Sequence, residues 1–261
     1  MKLLQIAVAA LLTGTLFAAE AKPEAKKAVK KTAVKRMIQP SKAPLEQQIT
    51  VVTTPAKPNF ATRLAAKKSY AEKNAKDIKV LMMGDSITHQ WDSKAAAAAW
   101  KQYIAPYNAL NVGCNGHRVQ NTLGIMEKSG ILELINPKVV TVMIGTNNSV
   151  RNDYRATAAG IKKLLDGLRT RYPEAKILLF AIFPRGVDKT DYRRMENEKV
   201  NAEIVKFCDG KNIIWVDIRK DFLTPEGVLE RAIMGDLLHL RSKGFHIWGK
   251  ALAPYLEKYA K

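Results

Sequence analysis

A chain of 261 residues, 47% of them hydrophobic, is long enough for one sizeable α/β core, which excludes disorder along its whole length. The formal net charge of +19 is unevenly placed, with more than half of the excess ahead of residue 77. With only two cysteines, no CxxC and no HExxH, the chain lacks a disulfide scaffold and the common zinc motifs, so neither a metal nor another cofactor is expected.

Met1-Lys2 is followed by an apolar run over residues 3–19 and the small-residue pattern Ala19-Glu20-Ala21. This reads as a secretory signal over residues 1–21, since the run is short for a membrane-spanning helix. The expectation is export to the periplasm, the cell envelope or the medium, with no transmembrane segment left after cleavage. Residues 22–58 are rich in Lys, Ala, Pro and Thr, as in Lys26-Lys27-Ala28-Val29-Lys30-Lys31. Such a tract buries little apolar surface and is expected to be a flexible basic linker. Contact with an anionic cell-envelope surface and plain solubilisation stand open as its role. Nucleic acid is disfavoured, because the tract has no interleaved aromatic residues.

Residues 59–261 carry the expected domain. A helix over 59–75, with Phe60, Leu64 and Tyr70, leads into it. Apolar strands then alternate with amphipathic helices: strand 78–83, strand 109–112 with helix 119–129, and strand 138–144 with helix 155–172. Strand 176–182 with helix 192–208 follows, then strand 212–216 and a last helix over 242–259. Strands apolar on both faces and separated by helices imply a parallel sheet covered on both sides, a doubly wound α/β sandwich. Cys114 falls in a loop and Cys208 on a predicted helix face, so both are expected as free thiols.

Ligands of such a sheet bind beyond the carboxyl ends of the strands, so the residues there are the site candidates. They include Gly84-Asp85-Ser86, the run from Gly113 to Arg118, Gly145-Thr146-Asn147-Asn148 and Phe183-Pro184-Arg185-Gly186. Asp236-Leu237-Leu238-His239 lies just before the last helix. A serine hydroxyl needs an imidazole to take its proton, and the imidazole needs an acceptor that fixes its tautomer. Ser86, His239 and Asp236 supply these groups, although Asp236 taken alone could equally cap the segment that follows. Donors for an oxyanion are available from the Ser86 N–H, the Gly113 N–H and the Asn147 amide. His89 and His246 have no evident carboxylate of their own and are read as structural.

These blocks, in this order, resemble those of the SGNH hydrolases, also called GDSL-type esterases and lipases. Gly84-Asp85-Ser86-Ile87 matches the first block, Gly113 the second, Gly145-Thr146-Asn147-Asn148 the third and Asp236-x-x-His239 the last. The third block, with Phe183-Pro184-Arg185-Gly186 and Leu237-Leu238-His239-Leu240, is most similar to the branch of the platelet-activating-factor acetylhydrolase catalytic subunits. The resemblance implies a flavodoxin-like three-layer sandwich on five parallel strands and a Ser-His-Asp site without metal. It also implies removal of small acyl groups, acetyl above all, from a carbohydrate or related small ester. Lipase, phospholipase or thioesterase action on longer acyl chains is the alternative. The second block departs from the branch, since His117 stands where an acid is expected. Asp85, His117, Arg118 and Asn148 are the candidate substrate contacts, with Asp85 also supporting the serine turn.

Overall fold

A computed structural model describes residues 41–261; the expected signal segment and residues 22–40 of the basic tract lie outside the described residues. The elements are α1 (Leu45–Thr53), α2 (Ala61–Asn74), β1 (Val80–Gly84), α3 (Ser86–His89), α4 (Ala97–Ala99), β2 (Ala109–Asn111) and α5 (Val119–Lys128). They continue with β3 (Val139–Met143), α6 (Tyr154–Arg171), β4 (Lys176–Phe180), α7 (Tyr192–Ile204), β5 (Ile213–Val216) and α8 (Ser242–Tyr259). The five strands are all parallel, in the order β2-β1-β3-β4-β5. This is the flavodoxin-like order, and every strand of the sequence reading is present within a residue or two of its expected bounds.

The alternation of side chains along each strand divides the core into two layers. Leu81, Met83, Val140, Val142, Ile177 and Leu179 face one side, where α6 supplies Ile161, Leu164, Leu165 and Leu168. Val80, Met82, Leu178 and Phe180 face the other, against Phe245, Trp248, Leu252 and Leu256 of α8. Trp91, which follows α3, fills that second layer with its ring 4.9 Å from Phe245 and 5.3 Å from Trp248. The short helix α3 is thereby anchored one turn downstream of Ser86.

The structure corrects two expectations about the chain's organisation. Residues 45–53 are not linker but the helix α1, which packs on α5 and α6. Leu45, Ile49 and Val52 form an apolar stripe at helical spacing, and Val52 is fully buried. A Cβ on Gly160 would lie 2.5 Å from Val52 Cγ1, and one on Gly124 only 1.8 Å from the Ala56 carbonyl oxygen. Those two glycines let the 52–58 segment lie directly on the helices beneath it. The Gln48 side chain also accepts the Asp153 N–H at 2.8 Å. The residues of α1 themselves include neither Lys nor Pro, but the Lys- and Pro-rich sequence around them hid the stripe. The second correction concerns Cys208, which follows a short 3₁₀ turn after α7 ends at Ile204 and so lies off the helix. Both cysteines are free, as expected.

Candidate active site

Strand order reverses between β1 and β3, so the crevice of this fold opens at their carboxyl ends. β1 ends at Gly84, and the chain turns at once into α3 with Ser86 as its first residue. A side chain at position 84 would meet Thr88 Oγ1 at 2.2 Å and the Met143 carbonyl oxygen at 2.4 Å. Only glycine permits so tight a strand-to-helix turn at that place. Asp85 caps α3, with Oδ1 accepting the Ile87 N–H at 3.0 Å.

Ser86 Oγ lies 2.9 Å from His239 Nε2, and His239 Nδ1 lies 2.7 Å from Asp236 Oδ2. The other oxygen of Asp236 accepts the N–H groups of Leu238 at 3.1 Å and His239 at 2.7 Å. Asp236 is therefore both the local cap and the partner of the imidazole, so the two readings of D-x-x-H hold together. Burial pulls its pKa upward, but the His239 N–H, the His239 ring and the Leu238 N–H outweigh that and hold it below the ordinary carboxylate value. An ionised Asp236 requires Nδ1 to carry the imidazole proton, which leaves the Nε2 lone pair facing the serine hydroxyl. Between the two residues, Leu237 occupies the left-handed region at φ 61°, which costs about 1–2 kcal/mol for a residue with a Cβ. Its N–H donates to the Met234 carbonyl and its own carbonyl accepts the Gly186 N–H, both at 2.9 Å.

Asn147 donates one amide proton to the His117 carbonyl at 3.0 Å, which fixes the amide plane and leaves its second proton available. Thr146, just before it, accepts from the Arg185 Nη1 at both its carbonyl (3.2 Å) and its hydroxyl (3.1 Å). Arg185 is in turn locked by Arg194, which donates to the carbonyls of Arg185, Gly186, Val187 and Gly227. Arg185 was among the strand-end candidates of the sequence reading without an assigned role, and Arg194 escaped it. The available signal was a charged residue directly beyond a strand end and a second one on the buried side of a helix.

Four expected roles change. The Gly113 N–H donates to Asn111 Oδ1 at 3.0 Å, in a buried bond, and so is not free for an oxyanion. Glycine is needed at 113 because a Cβ would lie 2.7 Å from the His89 N and 2.8 Å from Thr88 Cβ, against α3. Along the same loop Cys114, Asn115 and His117 donate to Gly84 O, His89 Nδ1 and Cys114 O. Gly116, at φ 68°, has an N–H without an acceptor among the described residues and open space beyond its Cα. Asn148 is fully buried and holds the Val119 N–H at 2.8 Å while its amide reaches Gln120 and Asn152, so it is a brace and not a substrate contact. Asp85 is also fully buried, with Oδ2 unpartnered, and burial raises its pKa to about 7 against the opposing pull of the Ile87 N–H, His239 and Arg185. It supports the turn and does not reach substrate. His117 is 0% exposed, not at the cleft mouth, and burial pushes its pKa down to about 4, offset only in part by the Asn59 backbone.

Arg118 remains partly exposed ahead of α5, where the Asn121 side chain accepts its N–H. Its pKa is lowered by burial and then by Arg151. His89 accepts the Asn115 N–H at 3.1 Å, and His246 packs on Tyr103 at 5.9 Å, so neither stands as a base for Ser86.

Residues 82–247 match the model of the GDSL-like lipase/acylhydrolase family. Platelet-activating factor acetylhydrolase IB subunit alpha2 of Rattus norvegicus is 34% identical over 172 residues, covering 65% of this chain and 72% of that protein. Among solved structures, a GDSL-like lipase from Bacteroides thetaiotaomicron superposes with TM-score 0.59 at 19% identity, covering 75% of this chain and 98% of that one. The acetyl xylan esterase AlAXEase gives TM-score 0.58 at 20% identity, over 69% of this chain and 100% of the other.

Proposed function

The chain belongs to the GDSL-like lipase/acylhydrolase family and is a carboxylic ester hydrolase, and on that premise we propose that it removes small acyl groups, acetyl above all, from a carbohydrate or related ester. The observation that carries this reading is the hydrogen-bonded chain Ser86–His239–Asp236 at the point where strand order reverses. Ser86 Oγ attacks the ester carbonyl while its proton passes to His239 Nε2, and Asp236 stabilises the imidazolium that forms. His239 then gives the proton to the departing alcohol, leaving Ser86 acylated. A water molecule attacks the acyl carbon as its proton passes to Nε2, and when the tetrahedral intermediate collapses Nε2 returns that proton to the departing Ser86 Oγ, releasing the acid and restoring the enzyme. The oxyanion is held by the Ser86 N–H, which has no intrahelical acceptor at the first helical position, by the second amide proton of Asn147 and by the Gly116 N–H. Gly116 takes the place the sequence reading gave to Gly113.

Acetyl is the acyl group in the names of both the platelet-activating-factor acetylhydrolases and the acetyl xylan esterase, which supports it here. The expected signal segment supports export, and the basic tract supports attachment to an anionic cell-envelope surface. Action on longer acyl chains has one observation in its favour. Val187, Tyr192 and Met195 are exposed on a segment that the Gly186 N–H ties to Leu237, beside His239.

Hydrolysis of a nitrophenyl ester series from acetyl to dodecanoyl, by the wild type and Ser86→Ala, tests both readings. The expected result is a maximum at acetyl that Ser86→Ala abolishes. A maximum at long chains favours the alternative, and equal rates in the two proteins refute the role of Ser86.

A further inference from the structure

We propose that Phe60 is the platform of a sugar-ring subsite beside the oxyanion loop, on which the alcohol part of the ester lies with its C–H face against the phenyl ring. The inference rests on the esterase reading above and names the chemistry of the substrate it takes. Phe60 immediately precedes α2 and sits in the left-handed region, at φ 64° and ψ 48°, where a bulky side chain is a true outlier. Core burial does not offset that strain, since the residue is 43% exposed. Its ring meets His89 edge-on at 5.9 Å and His117 at 6.4 Å. His89 lies one helical turn beyond Ser86 on the same side of α3, and the carbonyl of His117 holds the Asn147 amide. Phe60 thus covers two residues that each stand one step from the reacting centre.

The ring is held there by α2. Arg63 donates Nε to the Gly113 carbonyl at 2.9 Å, Nη2 to the Asn111 carbonyl at 3.1 Å and Nη1 to Asp92 Oδ2 at 2.6 Å. The backbone beside Phe60 is thereby bolted to the loop that follows β2. Hydrogen-bonding groups surround the apolar face. His89 accepts from Asn115 at Nδ1, so its neutral ring carries a proton at Nε2, and burial followed by Arg63 lowers its pKa. Asn115 is exposed, Arg118 is partly exposed, and the space beyond Gly116 is open. An apolar platform rimmed by separate polar groups suits a cyclic polyol, whereas a fatty chain needs continuous apolar walls. Residue 60 lies ahead of the stretch that matches the family model, which begins at residue 82.

The test compares kcat/KM of the full chain on an acetylated methyl glycoside with that on ethyl acetate, for the wild type, Phe60→Ala, Phe60→Leu and Phe60→Trp. The expected result is a fall of about tenfold in the glycoside-to-ethyl ratio for Phe60→Ala, carried by KM, with Phe60→Trp restoring it and Phe60→Leu not. A ratio unchanged in Phe60→Ala, or equally well restored by Phe60→Leu, overturns the platform. So does a wild type that hydrolyses ethyl acetate but no acetylated glycoside. Titration of Ser86→Ala with the acetylated glycoside, with and without Phe60→Ala, reads binding without turnover, and equal affinities overturn the inference. A wild type inactive on both esters refutes the esterase reading, and the titration still decides the platform.

Discussion

Asp85 carries the sharpest electrostatic conflict near the site, and Asp85→Asn exposes it. Its Oδ1 accepts the Ile87 N–H, its Oδ2 is buried without a partner, and burial raises its pKa from 3.8 to about 7. An acid whose folded pKa is raised favours folding while protonated, and that contribution is lost as pH rises toward about 7. At about 1.36 kcal/mol per unit the full gap amounts to about 4 kcal/mol, of which about 2.7 kcal/mol falls between about pH 5 and pH 8. Asn keeps the capping oxygen for Ile87 but cannot ionise. The stability of Asp85→Asn relative to wild type should therefore rise by about 2.7 kcal/mol from about pH 5 to pH 8. His117 acts in the opposite sense, because its neutral buried ring contributes stability that is lost as pH falls from the ordinary 6.5 through about 4. The two slopes oppose one another in the wild type, so the difference between variant and wild type at each pH is the quantity to measure. Urea unfolding across this range supplies it. A difference that stays constant within about 0.5 kcal/mol would refute the claim that Asp85 resists ionisation in the folded protein.

Asn147→Ala should lower kcat by about 10²–10³-fold with little change in stability, as expected for loss of one oxyanion donor. Its neighbour behaves differently: Asn148→Ala leaves the Val119 N–H buried without its acceptor, which should cost about 1–3 kcal/mol in urea unfolding while KM stays near wild type. Gly113→Ala drives a Cβ against the backbone of His89, so it should lose about 1–3 kcal/mol and reduce turnover by displacing α3, and an unchanged melting temperature would contradict that. Val52→Ala should cost about 1–3 kcal/mol if α1 belongs to the folded domain, whereas a side chain on a linker would register within about 0.5 kcal/mol.

The sheet was legible because parallel strands buried on both faces appear as unbroken apolar runs, and five of these run in order along the chain. The reacting groups were legible for a related reason. Ser86, Asn147, Asp236 and His239 sit at strand ends or in a short polar cluster, where residue type and position already restrict the chemistry. α1 was not legible, because a short apolar stripe set within a longer Lys- and Pro-rich tract gains a partner only when Gly160 makes room for Val52 on α6.

The fates of Gly113, Asn148, Asp85 and His117 show where residue type stops being informative. Each carries a group suited to contact with substrate, yet Gly113 and Asp85 turn theirs onto residues two positions away, Asn148 onto Val119 across the fold, and the His117 ring and the second oxygen of Asp85 are buried without a partner. The sequence by itself determined the doubly wound fold, the strand ends that face the crevice and the residues that could serve as nucleophile, base and orienter, because these follow from local periodicity and side-chain chemistry. Only the tertiary structure decided which N–H groups remain free, which carboxylate is buried and which aromatic ring packs on His89 and His117. Those properties depend on the direction in which a group points and on what packs against it, and the spacing of residues along a chain fixes neither.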